Sequence, residues 1–215
     1  WNKSVLDRWV KRSFEKADVT RPVIAHSGVL PHLPTLDGTD SHLYFGWYHG
    51  NERDLPGFAA KIPRLMRFVS EFGAQAIPES TEFIDTSEWP VLDWENLENK
   101  FGMQRGNFEN HCPASAFDSF DDWRTATQTY QADLIRYHIE TLRRLKYRPT
   151  GGFCMFALND AMPMISWSVL DHKRVPKLGY TALAEACRPV IVTADRLPPS
   201  MRPGDQIRIA LHVVS

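Results

Sequence analysis

The alternation of amphipathic helices with short apolar segments is the feature that most constrains the fold of this chain. Apolar residues at helical spacing predict helices over residues 1–17, 55–66, 125–147 and 178–186. Apolar runs of strand length lie between them, over residues 23–27, 42–48, 67–72 and 153–158. Strands that alternate with helices usually pair in parallel and are covered by those helices. The pattern therefore predicts an α/β fold.

Two kinds of parallel fold can be compared from the loops that follow the strands. No strand precedes a Gly-x-Gly-x-x-Gly or a Walker loop, which disfavours the nucleotide-binding folds. A (β/α)8 TIM barrel remains, but it needs eight strand-helix units and typically about 250 residues. The chain of 215 residues offers four such units, so we predict half of a barrel over residues 1–188.

The end of the chain has a different pattern. Residues 190–192 and 206–213 alternate in polarity like half-exposed strands of an antiparallel sandwich. We predict that residues 189–215 form the first strands of a second, β-sandwich domain. Between the two patterns, residues 78–119 are irregular and rich in aromatic and acidic residues, which predicts short helices or an excursion at the active site.

Composition excludes several function classes. Lys and Arg number 25 against 26 Asp and Glu, and this balance disfavours a nucleic-acid partner. No window of about 18 consecutive apolar residues predicts a membrane helix. Cys112, Cys154 and Cys187 are too few and too far apart for a disulfide framework or a Cys-x-x-Cys zinc site. The compartment stays open between cytoplasmic and secreted.

The ends suggest that the sequence is a piece of a longer protein. It begins at Trp1 without an initiator Met or an apolar leader, and it stops at Ser215 within a predicted strand. We therefore expect the remaining domains of the parent protein to complete the barrel.

Polar side chains lie where the predicted strands end, which is where barrel enzymes carry their catalytic groups. A period of two places Asp40, His42 and Tyr44 on one face of the second strand. Glu71 closes the inward face of the third strand, and Asp160 follows the fourth. We predict that Glu71, Tyr44 and Asp160 converge at one end of the sheet. Asp40 and His42 could suggest a metal pair, but no third ligand at short spacing supports it, so a hydrogen-bonded lining is favoured and no metal is expected.

Three segments resemble glycoside hydrolase family 2, which includes β-mannosidase-like, exo-β-glucosaminidase-like and β-galactosidase-like enzymes. The resemblance is especially to the first two. The segments are Phe-Val-Ser-Glu-Phe-Gly-Ala-Gln at 68–75, Asp-Ser-His-Leu-Tyr at 40–44, and Leu-Asn-Asp-Ala-Met-Pro-Met-Ile-Ser-Trp at 158–167 followed by Asp171, Pro176-Lys177 and Tyr180. The resemblance implies that Glu71 ends the seventh barrel strand as the nucleophile of a retaining glycosidase. It also implies that Tyr44 orients Glu71 and that an immunoglobulin-like β-sandwich follows the barrel. That residues 1–188 are the C-terminal half of a barrel is implied by the family resemblance of the motifs at 68–75 and 158–167.

The sequence departs from the family at two positions, and we expect one catalytic residue of the family to be missing from it. Phe156 and Met162 stand where members often carry Trp, which weakens the transfer of a mannose preference. The family's acid/base, the Glu of an Asn-Glu pair, ends the fourth strand, upstream of a helix like residues 1–17. We therefore expect this catalytic acid to be missing from the chain, and the chain alone to be inactive.

The predicted function is that of a retaining exo-β-glycosidase of β-mannosidase type that needs no cofactor and acts on a carbohydrate substrate. Predicted sugar contacts are Asp40, His42, Phe156, Asp160 and Trp167. Asp160 could instead cap the following turn, and Trp167 could belong to the core. The alternative functions are a non-catalytic carbohydrate-binding or scaffold protein derived from the same barrel, and an endo-acting glycanase.

Overall fold

A three-stranded parallel sheet organises the computed structural model, which describes residues 5–24, 27 and 40–215. The sheet order is β1-β2-β3, with β1 at Ser41–His42, β2 at Phe68–Glu71 and β3 at Gly152–Phe153. The central strand β2 pairs in parallel with both neighbours. Parallel pairing agrees with the predicted α/β class, and the chain is a mixed α/β structure.

Six α-helices accompany this sheet in the described part of the chain. They are α1 at Val5–Ala17, α2 at Leu55–Lys61, α3 at Trp94–Phe101, α4 at Arg105–His111, α5 at Phe120–Arg144 and α6 at Leu178–Ala186. Three short 3-10 helices lie at Glu52–Asp54, Pro63–Met66 and Ala114–Ala116. None of the described helices combines the length and the apolar character needed to cross a membrane.

The long helix α5 confirms the clearest helix prediction, although it begins earlier than residue 125. Ser119 adopts an extended backbone and its side chain accepts a hydrogen bond from the Asp122 amide, which caps the helix. The first turn carries Asp121 and Asp122 and the last turn carries Arg143 and Arg144. These charges interact favourably with the helix dipole and stabilise the helix. The helix packs most extensively against α6.

Residues 78–119 confirm the prediction of short helices, because α3, α4 and the 3-10 helix Ala114–Ala116 all lie there. Gly102, in the left-handed region at φ 74°, ends α3. The sequence predicts an interruption at Pro63 in the helix over 55–66, and this is confirmed, since α2 ends at Lys61 and Pro63 begins a 3-10 helix. A proline cannot donate the backbone hydrogen bond that would continue the helix.

Two strand predictions were wrong in extent. Strand β1 covers only Ser41–His42, because the chain turns back where the Trp47 and Tyr48 amides both donate to the Tyr44 carbonyl. Strand β3 covers only Gly152–Phe153 rather than residues 153–158. The predicted first strand at 23–27 is not a strand at Val23 and Ile24, and its residues 25 and 26 lie outside the described part.

The C-terminal segment contains an antiparallel pair. Strand β4, Ile191–Ala194, pairs with β5, Leu211–Val214, in the register Ile191↔Val214 to Ala194↔Leu211. This pairing agrees with the antiparallel pattern read from the sequence. The half-barrel at 1–188 and the immunoglobulin-like sandwich at 189–215 stay predictions about the longer protein.

The core between β2 and α5 holds the sheet in place. Val69 and Phe72 are fully buried, and they belong to a cluster with residues of α2, α5 and α6: Leu55, Ala59, Ile135, Ile139, Leu142 and Ala186. The ring of His138 on α5 stacks on Phe72, with centroids 5.3 Å apart and planes at 7°. Strand β2 is therefore anchored against these helices, and Glu71 is its last residue.

His138 makes the stability of this core sensitive to acid. Its Nδ1 lies 2.9 Å from the Leu134 carbonyl, and burial lowers the pKa of the ring to about 4 from 6.5. The unfolded chain therefore binds a proton as pH falls from 6.5 toward 4, while the folded chain does not. This contribution to stability is fully present above pH 6.5 and falls by roughly 2 to 3 kcal/mol as the pH decreases toward about 4.

We expect His138→Phe to lose this acid-dependent part of the free energy of unfolding. Urea unfolding at neutral pH and near pH 4.5 measures the difference for each protein. His49→Gln is the matched control, because His49 is exposed and should leave the difference unchanged. An equal acid loss in His138→Phe and in the parent sequence would contradict the assignment.

Candidate active site

Glu71 ends β2 directly beside β1. The parallel register pairs His42 with Glu71, so both side chains lie at the carboxyl end of their strands. The Tyr44 hydroxyl donates to Glu71 Oε2 at 3.0 Å, and His42 Nδ1 lies 3.3 Å from the same oxygen. Both contacts use Oε2 and leave Oε1 directed elsewhere. The structure thus brings three of the predicted site residues together.

Tyr44 is fixed as a hydrogen-bond donor. Its side chain is buried, and burial together with the negative charge of Glu71 raises the pKa of the phenol well above its usual range. A phenol that keeps its proton can only donate to the ionised carboxylate.

The backbone conformation at residue 73 requires the glycine that follows Glu71 and Phe72. Its φ is +148°, and a Cβ at this position would lie 2.6 Å from the Phe156 carbonyl oxygen. The Phe156 amide in turn donates to the Phe72 carbonyl at 3.1 Å. Only a residue without a side chain lets the two backbones approach this closely. The close approach places Phe156 beside the end of β2.

Aromatic rings border the Glu71 carboxylate on one side. Tyr44 and Tyr48 meet edge to face at 5.0 Å, Tyr48 and Trp167 lie 6.4 Å apart, and Trp167 meets Phe156 at 5.7 Å. Phe156 is partly exposed at 39%. The predicted residues Phe156 and Trp167 are therefore neighbours and join the site through Tyr48.

Tyr48 is a site residue that the sequence did not single out. Its hydroxyl accepts a hydrogen bond from the side-chain Nε2 of Gln104 at 2.8 Å. The backbone N–H of Gln104 donates to Gln75 Oε1. Gln75 is the last residue of the family-like segment 68–75, so the connection reaches from that segment to the loop after α3. The available signal was the spacing of four between Tyr44 and Tyr48.

Asp160 lies in a separate buried cluster. Ser166 and Ser168 donate to its two carboxylate oxygens, each at 2.6 Å, and the Arg174 guanidinium donates to its backbone carbonyl. Asp160 is only 5% exposed. Its carboxylate thus joins the turns of its own loop, which corresponds to the capping alternative, and the contacts found do not connect it to Glu71.

Lys177 completes this cluster. Its ammonium donates to the carbonyls of Ala76 at 3.3 Å and Ser166 at 3.2 Å. Burial lowers the pKa of Lys177 to about 8, and the carboxylates of Asp160 and Asp171 oppose that shift. The side chain therefore connects the segment after β2 to the loop that carries Trp167.

Asp40 is also directed inward. It is 6% exposed, and its Oδ2 accepts hydrogen bonds from the hydroxyls of Ser70 and Ser27, the latter at 2.6 Å. Among the described residues, no group of three or more His, Cys, Asp or Glu side chains is arranged to hold a metal ion. A cavity of about 570 Å³ lies elsewhere, between α2, α5 and residues Asp195 and Arg196.

Comparisons with known proteins agree with the motifs. The chain is 31% identical over 179 residues to β-mannosidase B of Aspergillus niger and 29% identical to that of Aspergillus flavus. Each alignment covers 79% of this chain, and the chain spans 20% of the length of either relative. No protein-family model matches the chain.

The solved structure of a β-D-mannosidase from Dictyoglomus thermophilum is also similar. It covers 92% of this chain and 24% of its own, with a TM-score of 0.67 and 21% identity, which supports the fold. The chain is related to glycoside hydrolase family 2. The family-like residues at 40–44 and 68–75 are those that the fold brings together around Glu71.

Gly73 provides a test of how closely this family-like site is packed. Gly73→Ala should destabilise the fold by about 2 kcal/mol or more, because the new methyl group would overlap the Phe156 carbonyl at an unfavourable φ. Gly57→Ala is the control, since its Cβ would meet nothing within 4 Å inside helix α2. That substitution should stabilise by up to about 1 kcal/mol.

Thermal or urea unfolding of the two variants measures both effects. If Gly73→Ala were as stable as Gly57→Ala, the close approach of the two backbones at the site would be wrong.

Proposed function

We propose that the protein containing this chain is a retaining exo-β-glycosidase of β-mannosidase type, with Glu71 as its nucleophile. The observation that supports this most directly is the Tyr44 hydrogen bond to Glu71 Oε2 at the end of a parallel strand. The similarity to the Aspergillus β-mannosidases gives the chemical class of the substrate, a β-linked sugar.

In this proposal Glu71 Oε1 attacks the anomeric carbon while Oε2 keeps its hydrogen bond. The bond from the sugar to the leaving oxygen breaks, and a second carboxylic acid protonates that oxygen. Retaining enzymes place the two carboxyl groups about 5–5.5 Å apart. Water then attacks the same carbon, the second residue takes its proton, and Glu71 is released as a carboxylate.

The second carboxylic acid is proposed to come from a segment of the parent protein outside residues 1–215. Within the described residues, the side-chain contacts recorded for Glu71 are those from Tyr44 and His42. Asp160 donates nothing to such a step, because its oxygens accept from Ser166 and Ser168.

The aromatic border gives the proposed sugar site an apolar wall. Phe156, Trp167 and Tyr48 can pack against the C–H faces of a sugar, while Glu71 offers a polar contact. Phe156 presents a smaller ring than the Trp common in the family. The wall therefore suits a β-mannoside without requiring one.

Glu71→Gln should lower turnover of an aryl β-mannoside by several orders of magnitude in the protein that contains this chain. The amide keeps the shape and the Tyr44 contact but lacks the attacking charge, so sugar binding should persist. Initial rates and isothermal titration with the product sugar measure the two quantities. Glu98→Gln on the exposed face of α3 is the matched control and should keep full turnover.

Azide should partly restore turnover to Glu71→Ala and release a glycosyl azide of inverted configuration. Full turnover in Glu71→Gln would remove Glu71 from the mechanism. Sugar binding without turnover in the unsubstituted protein would favour the non-catalytic alternative, and cleavage within long chains would favour the endo-acting one.

The isolated chain should not hydrolyse an aryl β-mannoside, because it would supply a nucleophile without its acid. An activated aryl leaving group needs little protonation and is therefore the most lenient substrate. The assay compares the chain with its own Glu71→Gln variant. Turnover of the activated substrate above that control would show that residues 1–215 form an active site on their own, and turnover of a glycoside with a poor alkyl leaving group as well would place the acid within them.

A further inference from the structure

A continuous series of polar side chains leads from the start of β1 to Glu71. Asp40 Oδ2 lies 2.6 Å from Ser27 Oγ, and Ser27 Oγ lies 2.9 Å from His42 Nε2. On its other side, His42 Nδ1 lies 3.3 Å from Glu71 Oε2. Two carboxylates are thus joined through one hydroxyl and one imidazole ring.

The protons of this series can be counted. An ionised carboxylate only accepts hydrogen bonds, so Glu71 requires a proton on His42 Nδ1. Ser27 has one hydroxyl proton, and an ionised Asp40 at 2.6 Å requires that proton. Ser27 Oγ then accepts from the ring, which requires a second proton on His42 Nε2. All three contacts are attractive when His42 is an imidazolium.

Two other arrangements also satisfy every contact. The extra proton could lie on Asp40, with Ser27 donating to a neutral His42, or on Glu71 Oε2, which would then donate to Nδ1 of a neutral His42. However, imidazole is more basic than a carboxylate by about 2.6 units of ordinary pKa. Ser70 also donates its hydroxyl proton to Asp40 Oδ2, which favours the ionised carboxylate. The proton therefore belongs on His42.

We propose that His42 is a doubly protonated positioning residue, held between Asp40 and Glu71, that fixes the orientation of Glu71. The charged and titratable groups found to face the ring are Glu71 from β2 and, through Ser27, Asp40, with Tyr44 on the same Glu71 oxygen. A cation between two carboxylates balances their charge in a partly buried site. Its role in catalysis rests on the proposed function of Glu71.

The arrangement separates the two oxygens of Glu71. The imidazolium and the Tyr44 hydroxyl both contact Oε2, so rotation of the carboxylate would break one hydrogen bond and one ion pair. Oε1 is then the oxygen presented for reaction. Asp40, assigned to sugar contact from the sequence, acts in this proposal through Ser27 on the ring.

Nitrogen NMR of the protein labelled with ¹⁵N-histidine tests the proposal at neutral pH. The chemical shifts of the two ring nitrogens distinguish an imidazolium from either neutral tautomer, and the signals that vanish in His42→Gln assign the ring. We expect both nitrogens of His42 to carry protons. Glu71→Gln and Asp40→Asn should each leave one proton, because each removes one of the flanking charges.

Asp133→Asn is the control, since Asp133 is exposed on α5 and should leave His42 doubly protonated. Should Asp40→Asn fail to fold, Ser27→Ala breaks the same link without changing a carboxylate and should also leave one proton. A neutral His42 in the unsubstituted protein overturns the proposal, as does retention of both protons in Glu71→Gln.

The measurement does not depend on hydrolysis. If His42 behaves as expected while Glu71→Gln retains turnover, the proposed function fails and the charge arrangement stands. If Glu71→Gln abolishes turnover while His42 is neutral, only the arrangement fails.

Discussion

The parallel register between β1 and β2 determines the geometry around Glu71. It pairs His42 with Glu71, and Tyr44, two residues further, reaches the same carboxylate oxygen. Val69 and Phe72 lie on opposite faces of the strand by the period of two, and both are fully buried in the cluster that includes residues of α5. A shift of register by one residue would exchange the two faces, so the burial of these residues and the pairing of Glu71 with His42 require the same register.

A second buried cluster maintains the loop that completes the site. Lys177 and Asp160 are both buried, and burying either charge alone would be costly. Together they hold the backbone of residues 166–168 against the segment after β2, through Ser166 and Ala76. Trp167 belongs to that backbone segment, so the buried polar cluster fixes the position of its aromatic ring.

The parts of this structure that could be predicted from the sequence are those set by local interactions. Helix α5 follows from its apolar spacing and its Ser119 cap, and Glu71 follows from an apolar strand that ends in a carboxylate. The resemblance to known glycosidases added the role of Tyr44. Each of these needs only neighbouring residues or a recognised motif.

The remaining features depend on contacts between distant residues. The turn after Tyr44 shortens β1 where Gly46 takes a positive φ of 84° and its carbonyl accepts from Tyr130 on α5. Tyr48 becomes a site residue through Gln104, which lies 56 residues away. Asp160 was assigned to sugar contact because the partners Ser166 and Ser168 cannot be recognised from the strand pattern alone.

These inward contacts change which groups remain for a ligand. Asp40 and Asp160 both use their carboxylate oxygens on internal hydroxyls, although each follows the strand pattern of a lining residue. The polar groups that remain at the strand ends are then concentrated on Glu71 and its two donors, beside the partly exposed ring of Phe156. In the proposed function, a single charged oxygen beside these aromatic rings can reach one reacting carbon, and contacts to the outlying hydroxyl groups of a sugar would have to come from other residues.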